Sequence, residues 1–493
     1  MSTKLSTTAR LAVLAVAAGT AVTLSQGTAH AAGTTYYVSA SGSDSNSGTS
    51  PSSAIRSLGR ASGLPLNPGD QVLLERGATF SGKLAVWRSG TAASPITVGS
   101  YGGGAKPVVT GDCLEVGGSY ITMTDLTVQS CTTTGIWTDG TGNVITNVEA
   151  THNIHGIDVG PHAKDTKVVH NYLHHNDRMA PNTPGAFDDY GAVGVVVEGD
   201  DTEVAYNTIT DNWAPSADFG TDGSAVEIYG GIGTLVHHNI ASDNRTFTEL
   251  GNSRSADTTY AYNVVTSNLK DTEFLITRGD QDYFGPVRGT VAVNNSVKLT
   301  GSNSLGFSCY AGCTPGYFTL VNNVLDVAGR IGYVEGSMSG GDNVYWRGQL
   351  DGLKLLPGDR FVNPEFRGAK LVPTAGSPLV DAGRHAPMKK DVRGHRTGVD
   401  GNGDGRRGTD IGAFEARAKG KRERGSGNHH HANHNHHGHQ AHAHHGASGH
   451  HGHAQHHGGK GNGKGKHHHH HGGKHHHHNN HNNNGGNRQQ GRL

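Results

Sequence analysis

The chain has 493 residues, with 41 Lys and Arg against 41 Asp and Glu, and 6% aromatic residues beside 75 glycines. The zero net charge is a cancellation, because residues 32–416 carry 28 bases against 40 acids, whereas residues 417–493 carry 11 bases and one acid, Glu423. An acidic body excludes nucleic acid as its partner, since phosphate binding needs clustered Lys and Arg; many glycines and few aromatics suit repeated tight turns better than one globular core.

Residues 1–31 read as a secretory signal peptide, in which Lys4 and Arg10 precede an apolar run and the small-residue site Ala29-His30-Ala31. The run is too short for a membrane anchor, and no later segment approaches the roughly 20 apolar residues of a spanning helix. A secreted monomer, extracellular or held at the cell wall, is expected, with no membrane span. In an oxidising compartment an even cysteine count pairs. Cys113 is assigned to Cys131, 18 residues away, and Cys309 to Cys313.

Residues 32–110 are assigned to an N-terminal cap and first coils. They contain YYVSASGSDSNSGTSPSSAIRSL (residues 36–58) and NPGDQVLLERGATFSGKL (residues 67–84). Residues 111–360 repeat a short β-branched run ending in Asn, at Asn147, Asn171, Asn207, Asn239, Asn263, Asn295 and Asn323. The spacings are 24, 36, 32, 24, 32 and 28 residues. The short value suits one coil of a β-solenoid with three strands, and the longer ones add loop to the same coil. Loop-forming inserts lie at residues 177–191, 213–223 and 278–289. Stacked coils would bring the asparagines into a hydrogen-bonded ladder inside the solenoid.

The strand that ends near a glycine in each coil can be laid over its counterparts: GIWTDG, GIDVG, GVVVEG, AVEIYG, FTELG, FLITRG and IGYVEG. Alternation turns outward a row of Asp139, Asp158, Glu198, Glu227 with Tyr229, Glu249, Arg278 and Glu335. Like charges about 4.8 Å apart repel by ~3 kcal/mol at an effective dielectric near 20. A structural flank would avoid that cost, so a cleft is expected here; a solvated flank is the other reading.

Two chemistries fit the row. In a glycoside hydrolase, Glu227 and Glu249 would serve as acid and as base or nucleophile. In a polysaccharide lyase, acids would hold Ca²⁺ against a uronate carboxylate, with Arg278 near the abstracted proton. Asp188, Asp189, Tyr190, Trp213, Asp222, Tyr229 and Tyr283 are the candidate substrate contacts, with Asp218 and Phe284 in the same loops.

Residues 361–416 form a C-terminal end segment. AGSPLVDAG (residues 375–383) and TDIGAFE (residues 409–415) resemble the end segment called choice-of-anchor Q, and the stretches within residues 36–84 resemble the cap and first rungs of the pectate-lyase-like right-handed parallel β-helix superfamily. The resemblance implies an all-β, right-handed parallel β-helix. It leaves the reaction open, because the superfamily includes lyases, hydrolases, epimerases and non-catalytic surface proteins. Within this segment DGNGDGRRGTD offers Asp400, Asn402 and Asp404 as the start of a Ca²⁺ loop, with Asp410 in place of the usual closing Glu.

Residues 417–493 form a His/Gly/Asn-rich tail that cannot bury a core and is expected to be disordered. It holds 25 of the 36 histidines, and runs such as His467, His468, His469, His475 and His476 suit Zn²⁺, Cu²⁺ or Ni²⁺. The expected partners are therefore a polysaccharide and divalent metal ions. The functional expectation is a secreted protein that binds and cleaves an extracellular polysaccharide; the alternative is a non-catalytic adhesion or metal-binding β-helix.

Overall fold

The computed structural model describes residues 33–418 apart from Ala186 and His385. The signal peptide and the tail histidines His467, His468, His469, His475 and His476 lie outside the described residues. Among those residues no helix is long and apolar enough to cross a membrane.

The chain winds as a parallel β-solenoid, each coil giving one strand to each of three faces. One coil supplies Lys167–Val169, Tyr172–His174 and Val193–Val197, and the next supplies Glu203–Ala205, Thr208–Thr210 and Ser224–Tyr229. The pairings are parallel and in register, with Lys167 against Glu203, Tyr172 against Thr208 and Val193 against Ser224. The first face is a 12-stranded sheet from Thr35–Val38 to Ser339–Gly341. Strands this short are too rich in β-branched residues to be helices, and stacking is what stabilises them. Val168, Val204, Val236 and Tyr260 superpose inward on this face and are fully buried. One hydrophobic cluster runs the length of the solenoid, from Val38 to Tyr345.

The asparagine ladder closes the corner between the first and second faces. In the series Asn171, Asn207, Asn239, Asn263, Asn295, Asn323 and Asn343, each after the first accepts the backbone N–H and the side-chain amide of the asparagine one rung before, at 2.8–3.1 Å. The first of them accepts the backbone N–H of Val148. Asn147, assigned to the same ladder from sequence, is one residue out of step. It is exposed and occupies the left-handed corner position, φ 53°, that His170, Tyr206 and His238 fill in later coils, and Val148 holds the ladder position. Asn tolerates that backbone conformation, which is why an Asn appears there.

A second ladder, absent from the sequence reading, joins Asn153, Asn176, Asn212 and Asn244 at the corner between the second and third faces. Here too the preceding residue is left-handed: His152, His175, Asp211 and Asp243. Both expected disulfides are present, Cys113–Cys131 and Cys309–Cys313. The end segment packs along the solenoid flank. Leu371, Ala413 and Phe414 cover Val264, while Leu379 and Ile411 cover Val324 and Val344.

Candidate active site on the third face

The third face carries the strands His155–Val159, Val193–Val197, Ser224–Tyr229, Thr246–Gly251 and Asp271–Arg278. Its register corrects the expected single row of acids. Trp137, Asp158, Val196, Glu227, Glu249 and Ile276 stand in one column. Asp139, Glu198, Tyr229 and Arg278 lie two residues further along their strands, in a second column. Val196 and Ile276 interrupt the charge, so the repulsion that a continuous row would impose is confined to one direct pair, Glu227 against Glu249.

The two members of that pair have opposite environments. Glu249 is bound by Arg278, whose Nη2 donates to Oε1 at 2.5 Å. Glu227 makes no hydrogen bond or ion pair among the described residues; burial, then the charges of Glu249 and Asp222, raise its carboxyl well above the usual range. Neighbouring acids follow it. Burial and the charge of Asp158 push Glu198 to about 7, and burial with the charge of Glu249 pushes Asp222 to about 6. Tyr190 lies over this cluster, edge-on to His155 at 4.6 Å, its hydroxyl pKa raised by burial and by the charges of Glu227, Asp158 and Glu198.

Arg278 is not the free cation that proton abstraction would call for. Besides Glu249 it bonds the Leu250 carbonyl at 2.5 Å, lies 3.3 Å from Asp282 and covers the Phe284 ring, and its side chain is 12% exposed.

The inserts at residues 177–191 and 213–223 form the wall beside the acids. The second folds as a small antiparallel pair, Ala214–Ser216 with Gly220–Asp222. Asp189, expected to touch substrate, is instead buried as the latch between the inserts, accepting from Thr183 N at 2.7 Å, Ser216 Oγ at 2.6 Å and Asp218 N at 2.8 Å. Asp188, Asp189 and Asp218 bring oxygens within 4.8 Å of one another, close enough to share a cation. Trp213, Tyr229, Phe284 and Tyr283 reach solvent on this side, Tyr283 being 91% exposed.

Asp400, Asn402 and Asp404 do not converge with Asp410. The first three accept the backbone N–H groups of Gly403, Asp404, Gly405 and Arg406 within their own turn. Asp410 is fully buried and accepts from Asp381 N and Ala416 N. The alternation of Asp and Gly is satisfied by the turn itself. Sequence reading also passes over Trp137, although GIWTDG puts it at the outward position next to Asp139.

The family profile described as "Right handed beta helix region" matches residues 112–326. A search of curated proteins gives no sequence match. Among solved structures, pectate lyase Pel9A is 16% identical, with a TM-score of 0.52, and the match covers 78% of this chain and 96% of that one. XylC in complex with xylose is 10% identical at a TM-score of 0.48, covering 77% and 98%. The GH136 lacto-N-biosidase from Eubacterium ramulus is 18% identical at 0.46, covering 66% of this chain and 65% of that one. With three in-register faces, inward β-branched columns, the family profile over residues 112–326 and the fold match to Pel9A, the chain folds as a right-handed parallel β-helix.

Proposed function

We propose that this is a secreted enzyme that hydrolyses an extracellular polysaccharide on its third face, with Glu227 as proton donor and Glu249 as the ionised carboxylate. The observation that carries the reading is the contrast within one pair. Glu227 is partly buried, unpartnered among the described residues and shifted towards its protonated form, while Glu249 is matched to a guanidinium. A carboxyl shifted upward beside one held by a guanidinium assigns the acid to Glu227 and the partner role to Glu249. Rungs about 4.8 Å apart are nearer the separation of retaining pairs, about 5–5.5 Å, than that of inverting ones. Glu227 then gives its proton to the glycosidic oxygen as the C–O bond breaks, and Glu249 attacks the anomeric carbon. Water hydrolyses the resulting ester while Glu227 takes back a proton.

The substrate is an uncharged or cationic glycan, because Asp158, Glu198 and Asp222 surround the pair and the nearest guanidinium, Arg278, is already engaged. The fold neighbour Pel9A is a pectate lyase, so lyase chemistry is the second reading. Its supporting observation is the Asp188, Asp189 and Asp218 cluster, which suits Ca²⁺. Purified protein tested on neutral glycans and on polyuronates separates the two. Reducing ends without absorbance near 235 nm, lost in Glu227→Gln and Glu249→Gln, support hydrolysis; full activity in both variants removes the site. Absorbance that EDTA abolishes and Ca²⁺ restores supports the lyase. The His-rich tail is proposed to capture Zn²⁺, Cu²⁺ or Ni²⁺, and retention on immobilised Ni²⁺ that survives deletion of residues 419–493 refutes it.

A further inference from the structure

The third face continues beyond the acids towards the N-terminal coils, and there it carries two tryptophans. Trp137 pairs with Asp158 on the next rung and stands in the column of Glu227, three rungs before it, or about 14 Å at the spacing between strands. Trp87 follows the strand Thr79–Val86 and is 60% exposed. The two rings have centroids 6.3 Å apart and planes inclined at 55°, forming an open cradle.

The backbone beneath is cleared for these rings. A Cβ on Gly117 would fall 2.0 Å from Trp87 Cζ3, and one on Gly160 would fall 3.1 Å from Trp137 Nε1 and 2.6 Å from Asp139 Oδ1. A side chain at 117 would displace the Trp87 ring from the sheet, and one at 160 would displace the Asp139 carboxylate and press on Trp137. Beside the rings, Asp139 accepts from His162 N at 2.8 Å and pairs with its Nδ1 at 2.8 Å, and the imidazole is mostly exposed. Flat apolar surface next to a few fixed polar groups is what a sugar ring needs, with C–H bonds on one face and hydroxyls at its edge. Leaving a large aromatic surface in water has no structural return.

We propose that Trp87 and Trp137 form a distal sugar-binding subsite for the same glycan chain that is cut at Glu227 and Glu249. This rests on the hydrolase reading and deepens it. A chain lying along the solenoid axis passes from the tryptophan cradle over Glu198 and Tyr190 to the acid pair, so the enzyme acts on long polymers and engages several residues on one side of the cut. The acids of the intervening column favour the same uncharged or cationic glycan.

The test uses the full chain and compares a polymer that the wild type cleaves with a short chromogenic glycoside of the same sugar. In Trp87→Ala and Trp137→Ala, with circular dichroism matching wild type, the ratio of kcat/KM on polymer to that on the glycoside should fall about tenfold, the size of a lost aromatic anchor. The loss should appear in KM, and Trp87→Tyr should recover most of it. An unchanged ratio in both alanine variants overturns the subsite while leaving the acid pair in place. Should the wild type cleave no glycan, affinity electrophoresis in the same polymers decides. Retardation that Trp87→Ala removes keeps the subsite and rejects the hydrolase, and absence of retardation rejects both.

Discussion

Replacing Asn239 by Ala tests the register on which the site depends. The Asn239 side chain is fully buried and makes four hydrogen bonds. Its Oδ1 accepts Asn207 N and Asn207 Nδ2, both at 3.0 Å, and its Nδ2 donates to Val204 O at 2.8 Å and Asn263 Oδ1 at 3.0 Å. At about 1 kcal/mol net for each buried bond, Asn239→Ala should cost about 4 kcal/mol. Asn147 carries the same sequence signature but makes one side-chain bond, to Asp125 at 3.2 Å, from an exposed corner. Its replacement should cost about 1 kcal/mol, mostly from placing Ala in a left-handed conformation. The assay is guanidinium unfolding followed by circular dichroism, comparing midpoints at matched slopes. Equal midpoints for the two variants would refute the ladder and, with it, the alignment of Glu227 on Glu249.

The remaining tests address chemistry and conditions. Glu227→Gln should lower kcat by about 10²–10⁴-fold, the usual contribution of a positioned proton donor, measured as reducing-end release at constant circular dichroism. Because Glu227 must be protonated to act and its carboxyl is shifted upward, kcat should fall as pH rises through its raised value; a rate that keeps climbing into the alkaline range contradicts this role. Burial, then the charge of Asp410, pushes Glu415 to about 8. The folded chain therefore binds a proton there that the unfolded chain releases above about 4.5, so stability should decline by on the order of 3 kcal/mol between pH 5 and pH 8. Thermal midpoints should show that decline in the wild type and a flatter profile in Glu415→Gln. Removing Cys113–Cys131 as a double Ser variant, with its 18-residue separation, should cost about 3 kcal/mol in the same unfolding assay.

The fold was legible because a solenoid repeats its instructions. The β-branched run before each Asn, the loop-rich inserts and the cysteine spacing all point to coils, and each of these signals is local in sequence. Register was not, because it depends on which residue turns the corner. Asn147 and Asn171 look alike in sequence, yet one takes the left-handed position and the other the ladder position after it. The second ladder could have been found, since Asn176, Asn212 and Asn244 follow Asn171, Asn207 and Asn239 at a constant five residues. Glu227 and Glu249 were legible as neighbours because their coils differ by a short interval. The roles of Asp189 and Arg278 were not, since whether a loop acid faces outward or ties two loops together depends on contacts between inserts far apart in sequence.

The constancy of the two asparagine corners has an evolutionary consequence. Two residues turn the first corner in each coil from Lys167–Val169 to Thr290–Val293, whereas the inserts at 177–191 and 213–223 leave the chain after Asn176 and Asn212, once the second turn is complete. Added length therefore accumulates after the second turn and, at residues 278–289, after the third-face strand, without disturbing the buried amides that set the winding. Such a fold can change the loops that form the wall while leaving in place the floor that aligns Glu227 on Glu249.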